Sequence, residues 1–185
     1  IDGHAHMDRE GLKSILPSLA GAGSVNEVVA RIADEAARLE PGEWIVTMPL
    51  GTPPLYLDGN DPFGDGTLPS RHDLDRAAPR NPVYIRPIWG YWSNRSPLVS
   101  IANTLALTAA GIDAASVSPS AQVTVERGSD GLPTGRFLED TRMSVVEMSL
   151  MAAAPGFTLS DRIGALESAM SVYNKFGTTS VYEGH

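Results

Sequence analysis

Two histidines near the start of the chain, His4 and His6, are the residues whose spacing is best suited to chemistry. Side chains at positions i and i+2 of a β-strand leave the same face, roughly 6–7 Å apart at their bases. If residues 1–6 form a strand, the two imidazole rings can bind one divalent metal ion at about 2.0–2.1 Å each. Asp2 and Asp8 continue the alternation. Asp2 either supports an imidazole from behind, or caps the strand or pairs with an arginine or lysine, whereas Asp8 is interpreted as structural.

Two polar residues at the far end of the chain are the next candidates. Glu183 and His185 follow a strand-like segment and share one face of it by alternation. They are predicted to contact substrate or to support the metal ligands, with a polar rim that hydrogen-bonds to neighbouring loops as the alternative.

Three aromatic residues, Trp89, Tyr91 and Trp92, occur close together in the middle of the chain. They are predicted to line a pocket, with a place in the core or in a dimer contact as the alternative. Arg86, just after an apolar strand, has the chemistry to clamp a substrate carboxylate but is interpreted as ion-paired with an acidic side chain. His72 is interpreted as a capping or surface histidine.

The composition argues against several classes of function and of metal site. The 185 residues carry a formal charge of −8 and no basic stripe, which argues against nucleic-acid binding. There is no cysteine, so a metal site must use nitrogen and oxygen ligands. Zinc is the expected divalent ion because it suits histidine-rich sites, although manganese, iron and cobalt stay open. No apolar stretch approaches the roughly 18–20 residues of a membrane span. We expect a cytoplasmic protein with a small-molecule substrate. A homo-oligomer stays open.

The elements that must position these residues alternate between strands and helices. Capping patterns predict helices that begin at Ser24 and Thr158, and Gly177 ends the second of them. The spacing of apolar residues predicts that this second helix buries the face formed by Ile163, Leu166, Ala169, Met170 and Tyr173. Further elements are predicted as strands over 1–6, 44–48, 82–86 and 178–182, a loop over 51–70, helices over 71–78, 97–111 and 139–152, and a hairpin over 122–137. The first strand, a long excursion, a helix and the last strand form a β-α-β unit of the kind that builds parallel sheets and barrels.

An ordered set of segments resembles a known family. Residues 2–6, Asp-Gly-His-Ala-His, resemble the metal motif on the first strand of the amidohydrolase superfamily of metal-dependent hydrolases. Later segments are similar, in order and spacing, to the branch that contains N-substituted formamide deformylases and related N-acyl deacylases. These segments are 42–45, 68–75, 103–107, 110–112, 131–135 and 177–181.

The resemblance implies a (β/α)₈ barrel, an α/β fold, with a small β-sandwich built from flanking residues. Residues 1–19 would hold barrel strand 1 and the segment after it, and residues 20–157 a large α+β insertion over the barrel mouth. Residues 158–185 would hold a barrel helix and strand 2. A barrel takes roughly 250 residues, so strands 3–8 and part of the sandwich are expected in the remainder of the same protein.

The resemblance also implies a metal-dependent hydrolase that cleaves an amide-type C–N bond, with His4 and His6 as metal ligands. The other ligands and the carboxylate that acts as general base are expected beyond His185, so the segment alone is expected to be inactive. Two other functions stay open. One is hydrolysis of an ester, a lactone or a related non-amide bond, and the other is a non-catalytic relative that binds a ligand without turning it over.

One departure from the branch bears on the substrate. Relatives usually carry a histidine shortly before an Asn-Ser-x-Ala-Leu segment, but residues 89–98 contain none. The three aromatic residues there suggest a more apolar or aromatic substrate. The turn signal at residues 131–135 is interpreted as architecture rather than as a phosphate loop.

Overall fold

The computed structural model of the protein describes residues 1–88 and 96–183. Three predicted pocket residues, Trp89, Tyr91 and Trp92, and the predicted site residue His185 therefore lie outside the described residues. The chain divides into two compact units, one made of Ile1–Pro17 with Gly156–His185 and the other of Ser18–Pro155. We call them the terminal unit and the central unit.

The elements of the described residues follow in chain order. They are β1 (Asp2–Ala5), α1 (Met7–Leu12), α2 (Val25–Ala36), β2 (Ile45–Thr47), α3 (Arg71–Ala77), β3 (Val83–Ile85), β4 (Leu98–Ala102), α4 (Thr104–Ala109), β5 (Val123–Arg127), β6 (Pro133–Glu139), α5 (Val145–Met148), α6 (Leu159–Lys175) and β7 (Val181–Glu183). None of these helices is both long enough and apolar enough to cross a membrane.

The terminal unit is a pair of parallel strands with two packed helices. Strand β1 pairs with β7, which places Ala5 opposite Glu183. Helix α6 begins at Thr158 with the predicted capping box, in which the Thr158 hydroxyl and the Asp161 carboxylate each accept a backbone N–H. Gly177 follows the helix with a φ of 79°, a left-handed conformation that glycine adopts without strain. The predicted strand, helix and strand are confirmed.

The predicted inner face of α6 is confirmed at Ala169 and at the partly buried Tyr173 but is wrong at its other three residues. Its buried residues are Ala165 and Ala169, whereas Ile163, Leu166 and Met170 are exposed. The reason is the closeness of α1, because a Cβ atom at Gly11 would lie 2.0 Å from the carbonyl oxygen of Ala165. Only small residues fit where two helix backbones approach so closely.

This contact predicts opposite effects for two Gly→Ala substitutions in the terminal unit. Alanine favours a helix over glycine by about 0.8–1.0 kcal/mol, so Gly164→Ala, whose Cβ would meet nothing within 4 Å, is expected to be neutral or stabilising. Gly11→Ala is expected to lower the free energy of unfolding by about 1–3 kcal/mol, the usual cost of overpacking. Urea denaturation of the full-length protein measures both, and equal stability of the two variants would contradict the contact.

The central unit contains a five-stranded sheet with the order β2-β3-β4-β6-β5. Strands β2 and β3 are parallel, and the other neighbours are antiparallel. Helix α2 begins at the predicted cap, where Ser24 Oγ accepts the backbone N–H of Glu27 at 3.3 Å. Helices α2 and α3 bury their apolar residues against one face of the sheet, in a core formed mainly by Val28, Ile32, Ile45, Leu74, Val83, Ile85 and Ile101. The strands predicted over 44–48 and 82–86 and the hairpin over 122–137 are confirmed.

Two predicted helices of the central unit are wrong in their extent. The segment predicted as a helix over 97–111 forms β4 and then only the short helix α4. Asn103 separates them, because its Oδ1 accepts the N–H of Ala106, as a helix cap does, and also that of Val83 in β3. The helix predicted over 139–152 is reduced to α5, and β6 continues to Glu139. At residues 98–102 and at Glu139, pairing with a distant strand overrides the local pattern.

Candidate metal site

The predicted histidine pair lies where the two parallel strands of the terminal unit end. His4 belongs to β1, and His6 lies between the end of β1 and the first residue of α1. Because β7 ends at Glu183, opposite Ala5, the carboxyl ends of both strands meet at one edge. Ligands of parallel sheets bind outside such an edge.

The two imidazole rings converge. His4 Nε2 and His6 Nε2 are 3.2 Å apart, and the ring planes are perpendicular with centroids 4.9 Å apart. Two nitrogens at about 2.0–2.1 Å from one ion, at angles between octahedral and tetrahedral, are separated by about 2.9–3.4 Å. The spacing therefore fits joint binding of a single ion through both Nε2 atoms.

The pair is a partial ligand set. Within residues 1–88 and 96–183, no group of three or more histidine or acidic side chains could hold a metal ion. Protein metal sites commonly use three or four ligands. A complete centre built on His4 and His6 therefore requires ligands besides those of the described residues.

Glu183 lies directly behind His6. Its Oε1 is 3.5 Å from His6 Nδ1, and its Oε2 accepts the backbone N–H of Met7 at 2.9 Å. The side chain thus contacts the ring on the nitrogen that does not face His4. Strand alternation placed Glu183 at this edge from the sequence, and the structure brings it to within contact of the histidine pair.

Acidic residues of the terminal unit place negative charge around Tyr173. Asp2 Oδ1 accepts the backbone N–H of His4 at 3.0 Å. Burial, followed by the charges of Asp2, Glu10 and Glu183, raises the pKa of Tyr173 above its usual value. The three carboxylates therefore lie close enough to Tyr173 to disfavour its phenolate.

Two further candidates lie in the central unit and have ordinary structural roles. The His72 side chain is largely exposed, with Nδ1 3.7 Å from Asp75 Oδ2, as predicted for a surface histidine. Arg86 is buried and ion-paired with Glu147, whose Oε2 accepts from Arg86 Nε at 2.9 Å while Oε1 contacts Nη2. The interpretation of Arg86 as an ion-paired residue is confirmed.

Sequence reasoning missed a buried acid. Glu139 is fully buried at the end of β6, on the face that also carries Phe137 and Gly135 because alternate residues of a strand share a face. Alternation from Phe137 was the signal that could have found it. Burial raises the pKa of Glu139, and the Glu147 charge raises it further, while hydrogen bonds from Val145, Val146 and Thr141 oppose the shift.

The raised pKa of Glu139 predicts a pH dependence of stability. A carboxyl group whose folded pKa exceeds its unfolded value of about 4.3 binds more protons when folded. Its contribution to stability is present below the unfolded pKa and is lost as the pH rises through the folded pKa. Glu139→Gln is expected to remove this loss, so that the free energy of unfolding declines less above about pH 4.

The measurement is a series of urea titrations of the full-length protein at different pH values. Glu167→Gln, which changes an exposed carboxyl on α6, controls for the altered net charge. A Glu139→Gln protein with the same pH profile as the control variant would contradict a buried, proton-linked Glu139.

Comparison with known proteins places these features in a family. A model described as the amidohydrolase family matches residues 1–185. The chain belongs to the amidohydrolase family. This amidohydrolase chain is 31% identical over 146 residues to Protein LONG AFTER FAR-RED 3 of Arabidopsis thaliana, covering 79% of this chain and 22% of that protein. It thus spans only a small part of the curated relative that it matches.

Two solved structures share the mixed α/β fold of this amidohydrolase. An uncharacterized metal-dependent hydrolase from Pyrococcus horikoshii OT3 has a TM-score of 0.52 and 22% identity, over 97% of this chain and 29% of that one. An uncharacterized metal-dependent hydrolase from Pyrococcus furiosus has a TM-score of 0.54 and 20% identity, over 98% and 30%. At these identities the likeness concerns the fold.

Proposed function

We propose that this chain supplies two ligands, His4 and His6, to a metal-dependent hydrolase that cleaves an amide-type C–N bond of a small molecule. The observation that carries the proposal is the 3.2 Å separation of the two Nε2 atoms at the carboxyl edge of β1 and β7, in a chain of the amidohydrolase family. The two Pyrococcus proteins are metal-dependent hydrolases, which supports a divalent ion here, and we propose zinc.

The residues of the terminal unit have separate tasks in this function. His4 and His6 bind the ion as neutral imidazoles. A bound divalent ion supplies Lewis-acid chemistry, polarising the scissile carbonyl and lowering the pKa of water toward 7. The carboxylate of Glu183, 3.5 Å from His6 Nδ1, favours retention of a cation. The general base that moves the proton is proposed to lie outside this chain.

We further propose that β1 and β7 are strands 1 and 2 of a (β/α)₈ barrel and that residues 20–157 are an insertion. The parallel pairing of two strands that lie at opposite ends of the chain supports this arrangement. So does the exposed apolar surface of α6 and its surroundings, which further barrel elements would cover. Its most exposed members are Leu159, Ile163, Phe176 and Tyr182.

The test uses the full-length protein. Its metal content is measured by plasma emission spectrometry, and its hydrolysis of a panel of N-acyl amides is compared with that of matched esters and lactones. The proposal expects bound metal and amide turnover that a chelator abolishes and added zinc restores. Turnover of esters or lactones alone would replace the amide assignment, and ligand binding without turnover of any substrate would overturn the assignment as an enzyme.

A further inference from the structure

We propose that Glu183 is a positioning residue, which holds His6 in the orientation and tautomer that leave Nε2 available to a metal ion. This inference rests on the proposed function of the histidine pair. It concerns a carboxylate on β7 that acts through a ligand on the neighbouring strand and does not itself bind the ion.

The backbone fixes the Glu183 carboxylate. Glu183 is the last residue of β7 and pairs with Ala5 of β1, so its main chain is held beside the residue that precedes His6. Its Oε2 accepts the Met7 N–H at 2.9 Å, a good hydrogen-bond length. Because the Met7 N–H holds Oε2, the position of Oε1 is restricted as well.

That second oxygen faces one nitrogen of His6 while the other nitrogen faces His4. Glu183 Oε1 is 3.5 Å from Nδ1, slightly longer than a hydrogen bond, and Nε2 is 3.2 Å from His4 Nε2. The two nitrogens of one ring therefore have different tasks. Metal-binding histidines almost always donate their other N–H to a carboxylate, a carbonyl or water, which fixes the tautomer and the ring orientation.

The chemistry of the pair sets the tautomer. A neutral imidazole carries one N–H, and an ionised carboxylate can only accept. A carboxylate beside Nδ1 therefore favours the proton on Nδ1 and leaves the lone pair of Nε2 free to bind an ion. Glu183 is assigned no direct ligand role, because its Oε1 faces Nδ1 of His6 and not the Nε2 atom that converges with His4.

Glu183→Gln separates positioning from simple support of the fold. The amide oxygen of glutamine can still accept the Met7 N–H, which directs its NH₂ group toward Nδ1. An NH₂ donor there favours the tautomer with the proton on Nε2. A protonated Nε2 has no lone pair available for a metal ion. We therefore expect an intact fold, a reversed His6 tautomer and a weakened metal site.

The experiment measures zinc affinity and the His6 tautomer in the full-length protein. Zinc is titrated into metal-free protein against a competing chelator, and long-range ¹H–¹⁵N spectra of ¹⁵N-histidine-labelled protein report the tautomer. Glu183→Gln is expected to lower zinc affinity by about 10–100-fold, with an unchanged unfolding midpoint of the metal-free form. Glu10→Gln removes a charge from the same unit, where Glu10 pairs with Lys13, and is expected to change neither readout.

The outcomes separate this inference from the proposed function. Wild-type protein that binds no zinc overturns the metal site itself. Wild-type binding together with unchanged affinity and tautomer in Glu183→Gln overturns only the role of Glu183. Equal losses of affinity in Glu183→Gln and Glu10→Gln would assign the effect to general electrostatics and would also overturn the positioning role.

Discussion

Replacing either His4 or His6 by alanine in the full-length protein is expected to remove metal binding and hydrolase activity. Each variant leaves one of the two convergent nitrogens, which are 3.2 Å apart. Loss of a partner behind a ligand already costs about 10–100-fold in affinity, so loss of the ligand itself is expected to cost at least on the order of 100-fold. The doubly substituted protein is expected to resemble either single variant, because residues that act as a unit are not additive.

Plasma emission spectrometry of the purified proteins measures the metal content, and the best substrate of the wild-type protein measures activity. His72→Ala is the matched control, because His72 is a largely exposed histidine of the central unit. It is expected to keep both metal and activity. Wild-type metal content in the His4→Ala and His6→Ala proteins would contradict the assignment of the pair as ligands.

The facing of His4 and His6 and the position of Glu183 near them could be predicted from the sequence. The i, i+2 spacing predicts that both rings leave one side of a strand, and alternation brings Glu183 to the same edge. These predictions rest on short-range geometry, which the backbone of a strand determines almost alone. The remaining metal ligands and the type of bond cleaved by the proposed hydrolase cannot be predicted from this geometry, because both depend on residues outside the histidine pair.

The predicted inner face of α6 was wrong at Ile163, Leu166 and Met170 for a different reason. Periodicity identifies an apolar stripe but does not say how close the neighbouring element comes. Here the neighbour is α1, whose Gly11 touches the backbone at Ala165. The close approach selects the face with alanines, and the larger apolar residues Ile163 and Met170 are left exposed.

The central unit shows the same limit in its sheet. Residues 98–102 are apolar enough for either a helix or a strand, and only their pairing with β6 and β3 makes them a strand. Glu139 was predicted as the start of a helix, but β6 continues to this residue. Its side chain accepts backbone N–H groups of Val145 and Val146, and the spacing of apolar residues does not indicate these contacts.

Replacing Gly135 by alanine is expected to be strongly destabilising. The same features of Gly135 support a structural role for the segment 131–135. Gly135 has a φ of 91°, and a Cβ atom there would lie 2.2 Å from the carbonyl oxygen of Ala102 and 2.9 Å from Arg71 Cβ. The left-handed conformation costs a non-glycine residue about 1–2 kcal/mol, and overpacking adds about 1–3 kcal/mol. We expect Gly135→Ala to lower the free energy of unfolding of the central unit by about 2–5 kcal/mol.

Gly131 provides the matched control for this prediction. Its φ of 76° is also left-handed, but a Cβ atom there would meet nothing within 4 Å. Gly131→Ala therefore carries the conformational cost alone and is expected to destabilise by about 1–2 kcal/mol. Hydrogen exchange of the β4 and β6 amides in the full-length protein measures the stability of the sheet itself. Equal protection in the two variants would show that the close approach to Ala102 contributes nothing, whereas a larger loss for Gly135→Ala assigns the difference to that contact.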